Sequence, residues 1–416
     1  MRYLPALLVC LIFGSSATAA DWNQYLGPQG DGHAAGTAPL TWSEQQNVAW
    51  KTPIHGKGWS SPVVWKDQIW LTTATEDGTR MYAVCLDKNS GKVIHDVLLF
   101  ENESPDFCHA FNSYASPTPF VEEGSVYVHF GKYGTACLDT KTGEKRWERR
   151  DFACDHYRGP GASPIVHDGL LFVSYDGFDV QYLTALDKHT GETVWRKDRE
   201  IKYESAPDDG DKKKAYSTAA IVTVAGKELL ISPSSGATIA YEPKTGKEVW
   251  RCNHGGWNAS IRPIFHQGRA IIDTHSRGLG TVAIRIDGKG DVSDTHIDWS
   301  HSKTGRQLPN PLLVDDLLYL VDSLGVMTVL DVNDGSVVWK HRLGGNFVGS
   351  PLYLDGRIYV ANLEGETHVL APGRTYQSLA VNKLDSGCMA SPAATGDGLL
   401  LRTTTDLYYL KTPAGN

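Results

Sequence analysis

Hydrophobic and polar residues change over in short runs along this chain, and they do not recur every three or four positions. Leu317-Leu-Tyr-Leu-Val321 and Arg357-Ile-Tyr-Val-Ala361 are typical, each following a tight turn at Asp315-Asp316 or Asp355-Gly356. Short β-branched and aromatic runs between Gly and Asp turns predict strands. No segment beyond the first twenty residues has the spacing of an amphipathic helix.

The strands fall into a repeat with two landmarks. One is a turn: Leu138-Asp-Thr-Lys-Thr-Gly-Glu-Lys-Arg-Trp147 returns as a variant ending at Trp195 and again at Trp250. Its Gly supplies the positive φ of a hairpin, and its Asp and Thr can satisfy backbone groups of the turn. The other is a Ser-Pro or related pair ahead of an apolar strand: Ser61-Pro62, Ser116-Pro117, Ser163-Pro164, Ser217-Thr218, Arg262-Pro263, Asn310-Pro311, Ser350-Pro351 and Ser391-Pro392. From Ser61 to Ser391 the period is roughly 47 residues, within the range of a four-stranded propeller blade. The sequence therefore predicts an all-β, eight-bladed β-propeller of four-stranded antiparallel blades. Trp147, Trp195, Trp250, Trp299 and Trp339 end the fourth strands and offer flat surfaces for docking on the next blade. His95 takes that place in the first unit, and the pattern fades near Gln377 in the seventh. The eighth unit lacks a fourth strand, which Asn47-Val-Ala-Trp50-Lys is expected to supply, closing the ring with Trp50 as its docking residue.

Composition narrows the functional classes. The 416 residues are 21% charged with a formal net charge of -8, so no basic face for nucleic acid is expected. Residues 1–20 read as a signal peptide: Arg2, an apolar core from Leu7 to Phe13, and a small-residue cleavage site after Ala20. Val9 ahead of Cys10 does not suit a lipoprotein anchor. No run is long enough to cross a bilayer as a helix. The expected organisation is a signal peptide (1–20), an N-terminal extension (21–46), the propeller (47–412) and a short tail (413–416). The mature protein is expected to be a periplasmic or secreted monomer. Removing the signal leaves six cysteines. Cys85 and Cys137 fall under the docking positions as small buried residues.

The A-x-D-x-x-T-G-x-x-x-W pattern resembles the tryptophan-docking motif of PQQ-type repeats, over nearly all of residues 47–412. Such repeats occur in quinoprotein dehydrogenases and in the outer-membrane assembly lipoprotein BamB. Asp21-Trp-Asn-Gln-Tyr-Leu-Gly-Pro-Gln-Gly-Asp-Gly32 likewise resembles the leader of secreted bacterial PQQ-like propellers. The resemblance implies two functions. The one expected here is a non-catalytic scaffold, without catalytic residues, metal or cofactor, that binds an envelope protein or a small anionic or planar ligand. The alternative is a dehydrogenase for an alcohol or sugar, with PQQ and calcium as cofactors and an Asp base. The chain has no Cys-Cys pair of the kind found in the larger quinoprotein alcohol dehydrogenases, and the calcium ligands have no match in it.

Candidate chemistry is sought in what does not repeat, the loops ahead of each Ser-Pro landmark. Ring closure would bring these loops together at one mouth of the central channel. Their aromatic, cationic and amide groups suit an anionic or planar ligand: Trp59, His109, Asn112, Tyr114, His156, Arg158, Tyr216, Trp257, Arg262 and Arg306. Cys108 and Cys154 precede their serines by nearly the same interval and are candidates for a disulfide. Asp287 to Asp294 reads as a plain turn, and Asp208 to Lys214 as a solvated loop. No G-x-S-x-G, H-E-x-x-H or P-loop pattern occurs.

Overall fold

The repeated turn is held by its own side chains. In the computed structural model, which describes residues 21–203, 209–302 and 308–413, Asp139 Oδ1 accepts the N–H groups of Lys141 (2.8 Å) and Thr142 (3.0 Å). Gly143 sits at φ +73° and its N–H returns to the Asp139 carbonyl at 2.9 Å. A β-bulge then places Trp147 opposite Cys137. The same bulge sets Trp195 opposite Ala185, Trp250 opposite Ala240, Trp299 opposite Ala283 and Trp339 opposite Val329. Cys85 and Cys137 are buried, as expected of small residues at these positions.

Each indole reaches the following blade. Trp147 Nε1 donates to the Lys188 carbonyl at 3.0 Å, and its ring lies on Gly191, where a Cβ would stand 2.7 Å from Cε3. Trp195, Trp250, Trp299 and Trp339 donate in the same way to Pro243, Ile286, Val332 and Gly373. Two blades depart from the pattern. His95 lies against Gly143 and stacks on Trp70 with ring centroids 5.7 Å apart. In the seventh blade the equivalent position is Ala380, opposite Val369, and not the neighbourhood of Gln377. Trp42 of the N-terminal extension is buried in the cluster against which Ala380 packs.

Among the described residues the strands form eight sheets around a ring. Val48–Pro53 pairs with Asp406–Leu410 and completes the last blade, while Trp50 Nε1 donates to Lys88 of the first blade at 2.8 Å. The second strands Ser125–His129 and Leu317–Val321 are buried at every position, because neighbouring blades cover both their faces. The segment from Asp287 is more than a turn, since Gly290–Asp291 pairs with Glu248–Trp257 of the preceding blade. A 3-10 turn at Gly210–Lys212 is the helical element among the described residues.

The Ser-Pro landmarks form a hydrogen-bonded belt around the channel. Ser61 N–H donates to Thr118 Oγ1 (3.0 Å), Thr118 N–H to Ser163 Oγ (2.9 Å) and Ser163 N–H to Thr218 Oγ1 (2.9 Å). On the other side Arg262 N–H donates to Asn310 Oδ1, Asn310 N–H to Ser350 Oγ, and Ser350 N–H to Ser391 Oγ. The belt corrects the sequence phase in two blades, where Thr118 and Thr218, not Ser116 and Ser217, hold the landmark position.

The N-terminal extension crosses the ring just beyond this belt. Val64 N–H donates to the Trp22 carbonyl (2.7 Å), Val121 N–H to Asn23 (2.9 Å) and Tyr353 N–H to Gly32 (2.9 Å). His33–Ala34 pairs in parallel with the innermost strand Leu352–Leu354. Val64, Val121 and Tyr353 each follow their belt residue by three positions in the sequence. The leader therefore stops the channel at one level and turns it into a cup.

Candidate functional site

The cup holds a cavity of about 200 Å³. Belt hydroxyls of Ser61, Thr118, Ser163, Thr218 and Ser391 line it, together with Tyr25 of the leader. Tyr25 Oη lies 3.1 Å from Ser350 Oγ, and burial raises its pKa. Of the residues expected at the mouth, Trp59, His109, Asn112, Arg158 and Tyr216 line the cavity. Asn112 Nδ2 donates to the carbonyls of Arg158 (3.0 Å) and Pro160 (3.1 Å), tying the rim loops of the second and third blades. His109 stacks on Phe111, an exposed rim residue, at 5.7 Å. Arg158 Nη2 stands 3.6 Å from Asp211.

Four expected residues lie elsewhere. Tyr114 is buried below the rim; its hydroxyl donates to the Asp106 carbonyl and its ring meets Tyr133 edge-on. His156 is buried too: Lys132 N–H donates to Nε2 (3.1 Å), and burial with Lys132 nearby lowers its pKa to about 4. Trp257 ends an outer strand and carries Lys212 over its ring. Arg262 is the belt residue of the fifth blade and grips the leader, donating to Gln24 Oε1 (3.1 Å) and the Tyr25 carbonyl (2.8 Å). Arg306 lies outside the described residues, as does the expected signal segment.

Cys108 and Cys154 stand as free thiols and are not joined. Cys108 Sγ approaches the Arg158 carbonyl at 3.6 Å, and Cys154 Sγ lies 3.7 Å from His156 Nδ1. Burial pushes the Cys108 thiol up to about 11 and holds the Cys154 thiol well above its ordinary range. Lys214 is not solvated as its charged neighbours suggested. It is buried, bonds Asp211, and has its pKa lowered to about 8 by burial and by Arg158.

Tyr25, Asn258, Ser260 and His275 also line the cavity and were missed in the sequence. Tyr25 has no repeat to flag it, and Thr118 and Thr218 were hidden by adjacent serines. Three buried polar atoms of the lining have no hydrogen-bond partner among the described residues: Trp59 Nε1, Asn258 Oδ1 and Ser260 Oγ. Orphaned groups of this kind in one cavity suit a polar ligand. An aromatic wall, one guanidinium and several hydroxyls fit a planar, acceptor-rich molecule such as PQQ. Calcium fits poorly, because it takes six to eight oxygens, with carboxylates among them. Among the described residues no carboxylate lines the cavity, and no group of three His, Cys, Asp or Glu could hold a metal ion.

A family model described as outer membrane protein assembly factor BamB matches residues 35–180 and 179–411. Methanol dehydrogenase [cytochrome c] subunit 1 of Methylobacterium organophilum is 26% identical over 236 residues, 51% of this chain and 36% of that protein. Quinoprotein ethanol dehydrogenase of Pseudomonas putida is 29% identical over 145 residues, 31% of this chain and 21% of that protein. The chain thus spans no more than about a third of the length of these relatives. The quinohemoprotein alcohol dehydrogenase structure from Comamonas testosteroni has a TM-score of 0.68 at 13% identity, covering 95% of this chain and 81% of its own. BamB from Moraxella catarrhalis has a TM-score of 0.51 at 17% identity, covering 74% and 82%. At these identities the structural likeness concerns the fold. The sequence matches correct the expectation of a non-catalytic scaffold, since the relatives aligned with this chain are dehydrogenases and fit the alternative better.

Proposed function

Because this chain belongs to the family of PQQ-type repeat proteins described as outer membrane protein assembly factor BamB, and its curated relatives are dehydrogenases of alcohols, we propose that it is a quinone-dependent alcohol dehydrogenase acting in the cell envelope. The observation that carries this reading is the orphaned indole N–H of Trp59, in a cup that also presents Arg158 and belt hydroxyls.

PQQ bound in the cup would supply a two-electron acceptor for oxidising the alcohol. The protein's part is to hold and orient. Trp59 and Tyr216 offer faces for a flat ring, and Trp59 Nε1 offers a hydrogen bond at its edge. Arg158 offers a fork for a carboxylate, and the belt hydroxyls offer donors to carbonyl oxygens. The leader, with Tyr25, blocks passage through the channel, so substrate and water enter from the rim. His109 is placed at that rim, with its Nδ1 accepting the Phe111 N–H at 3.2 Å.

The test is alcohol-dependent reduction of an electron-accepting dye by purified protein incubated with PQQ, for a series of primary alcohols. Turnover that is lost in Trp59→Ala supports the reading. Absence of turnover with every alcohol, with the cofactor bound, would remove the dehydrogenase assignment.

A further inference from the structure

We propose that the cup takes its planar polycarboxylate ligand through protein donors alone, with no divalent cation between ligand and protein. This rests on the quinone reading above and concerns how the charge of the ligand is met.

Two buried guanidinium groups lie at the level of the belt, and both hydrogen-bond to neutral groups, with Asp31 near Arg262 but not bonded to it. Arg262 is 5% exposed and donates to the Gln24 side-chain oxygen and the Tyr25 carbonyl, while its Nε has no hydrogen-bond partner among the described residues. Arg402 is 3% exposed and donates to the carbonyl (2.9 Å) and hydroxyl (2.7 Å) of Ser60. Ser60 lies between Trp59 and Ser61, both of which line the cavity. A buried charge that no carboxylate bonds directly is costly, Arg402 most of all, and an anion nearby offsets that cost. A divalent cation at the same place would add to it.

The nearby acids among the described residues are engaged: Asp31 accepts the His33 N–H at 3.0 Å. Asp211 is shared by Arg158 and Lys214, two cations on one carboxylate. Asp176 is paired with Arg199 at 2.5 Å, both buried. Asp273 is buried under hydrogen bonds from His275 N–H (2.7 Å) and Thr281 Oγ1 (2.9 Å).

The belt supplies further donors. Thr118, Ser163 and Thr218 are each buried, line the cavity, and spend their oxygen accepting an N–H from the preceding blade. None of the three donates its own proton to another protein group among the described residues. These O–H groups, with Arg158 above them, form a set of donors for carboxylate and carbonyl oxygens.

The experiment is equilibrium binding of PQQ, followed by quenching of tryptophan fluorescence, in EDTA and in excess calcium. The expected dissociation constants agree within about twofold. Arg158→Gln weakens binding at least about tenfold in both conditions, since it loses a charge-assisted fork. Arg158→Lys recovers part of that loss, and Arg402→Met, which removes only a distant charge, weakens binding several-fold. Binding that requires calcium overturns the inference and leaves the quinone reading intact. Binding indifferent to both arginines also overturns it. No binding in either condition sinks the quinone reading, and this inference with it.

Discussion

Arg262 Nη1 donates to the Tyr25 carbonyl at 2.8 Å, joining residues 237 positions apart. This contact fastens the leader beneath the belt. Gly30 packs on the same guanidinium at φ +69°, where a Cβ would stand 2.2 Å from Cζ. Arg262→Met should release the leader, because hydrogen bonds from a charged group contribute about 1.5–3 kcal/mol each. Limited proteolysis should then cut between Asp21 and Ala38 at protease levels that leave the parent uncut. Gly30→Ala should do the same. Equal resistance in both variants would mean the leader is held by its other contacts.

The docking tryptophans should carry stability and not function. Trp147→Ala removes a large side chain packed against the next blade and is expected to cost about 3–5 kcal/mol. Trp147→Phe keeps the ring but loses the bond to Lys188, about 1 kcal/mol. Gly191→Ala meets both a positive φ of +75° and the indole. Urea unfolding of the three variants gives the order, and a Trp147→Ala loss no larger than that of Trp147→Phe would contradict it.

The fold was legible because most blades write the same local solution, a bulge that sets a tryptophan after a tight turn, and only the first and seventh replace the tryptophan, with His95 and Ala380. The cup was less so. Trp59, Asn112 and Arg158 were found from their place ahead of a landmark, but the same rule misplaced Tyr114 and His156, whose loops fold inward to bury them. Arg262 read as a mouth residue because no local signal reveals that the leader returns to meet it. The leader's own Tyr25 could not be placed for the same reason: its partners are more than two hundred residues away.

Asp273 gives a pH signature. Burial raises its pKa to about 6, above the ordinary 3.8, so the folded state holds the proton more tightly than the unfolded one. Its contribution to stability is full below about pH 4 and is lost as pH rises to about 6. Asp273→Asn should remove this loss, stabilising the protein above pH 6 by up to about 3 kcal/mol. Thermal melts at pH 4 and pH 7.5 should show a larger benefit at the higher pH. A benefit equal at both values would exclude the titration of Asp273 as its source.

Lys214 should make ligand binding fall with pH. It contacts Asp211, lies near Asp209 and Arg158, and sits over the Tyr157 ring. Below its pKa of about 8 its charge competes for Asp211 and leaves Arg158 available to an anion. Above that pH Asp211 turns to Arg158 alone. The dissociation constant for PQQ should rise several-fold between pH 7 and pH 9.5, and Lys214→Met should flatten the change. A slope that survives Lys214→Met would assign it to another group.

The central claim is that the cup between belt and rim is the ligand site. A crystal structure of the protein soaked with PQQ in EDTA tests it most directly. The predicted result is the quinone in the cup, against Trp59 and within hydrogen-bond reach of Arg158, with no metal ion bridging it to the protein. A quinone bound outside the cup, or a cup that stays empty at saturating ligand, would contradict it.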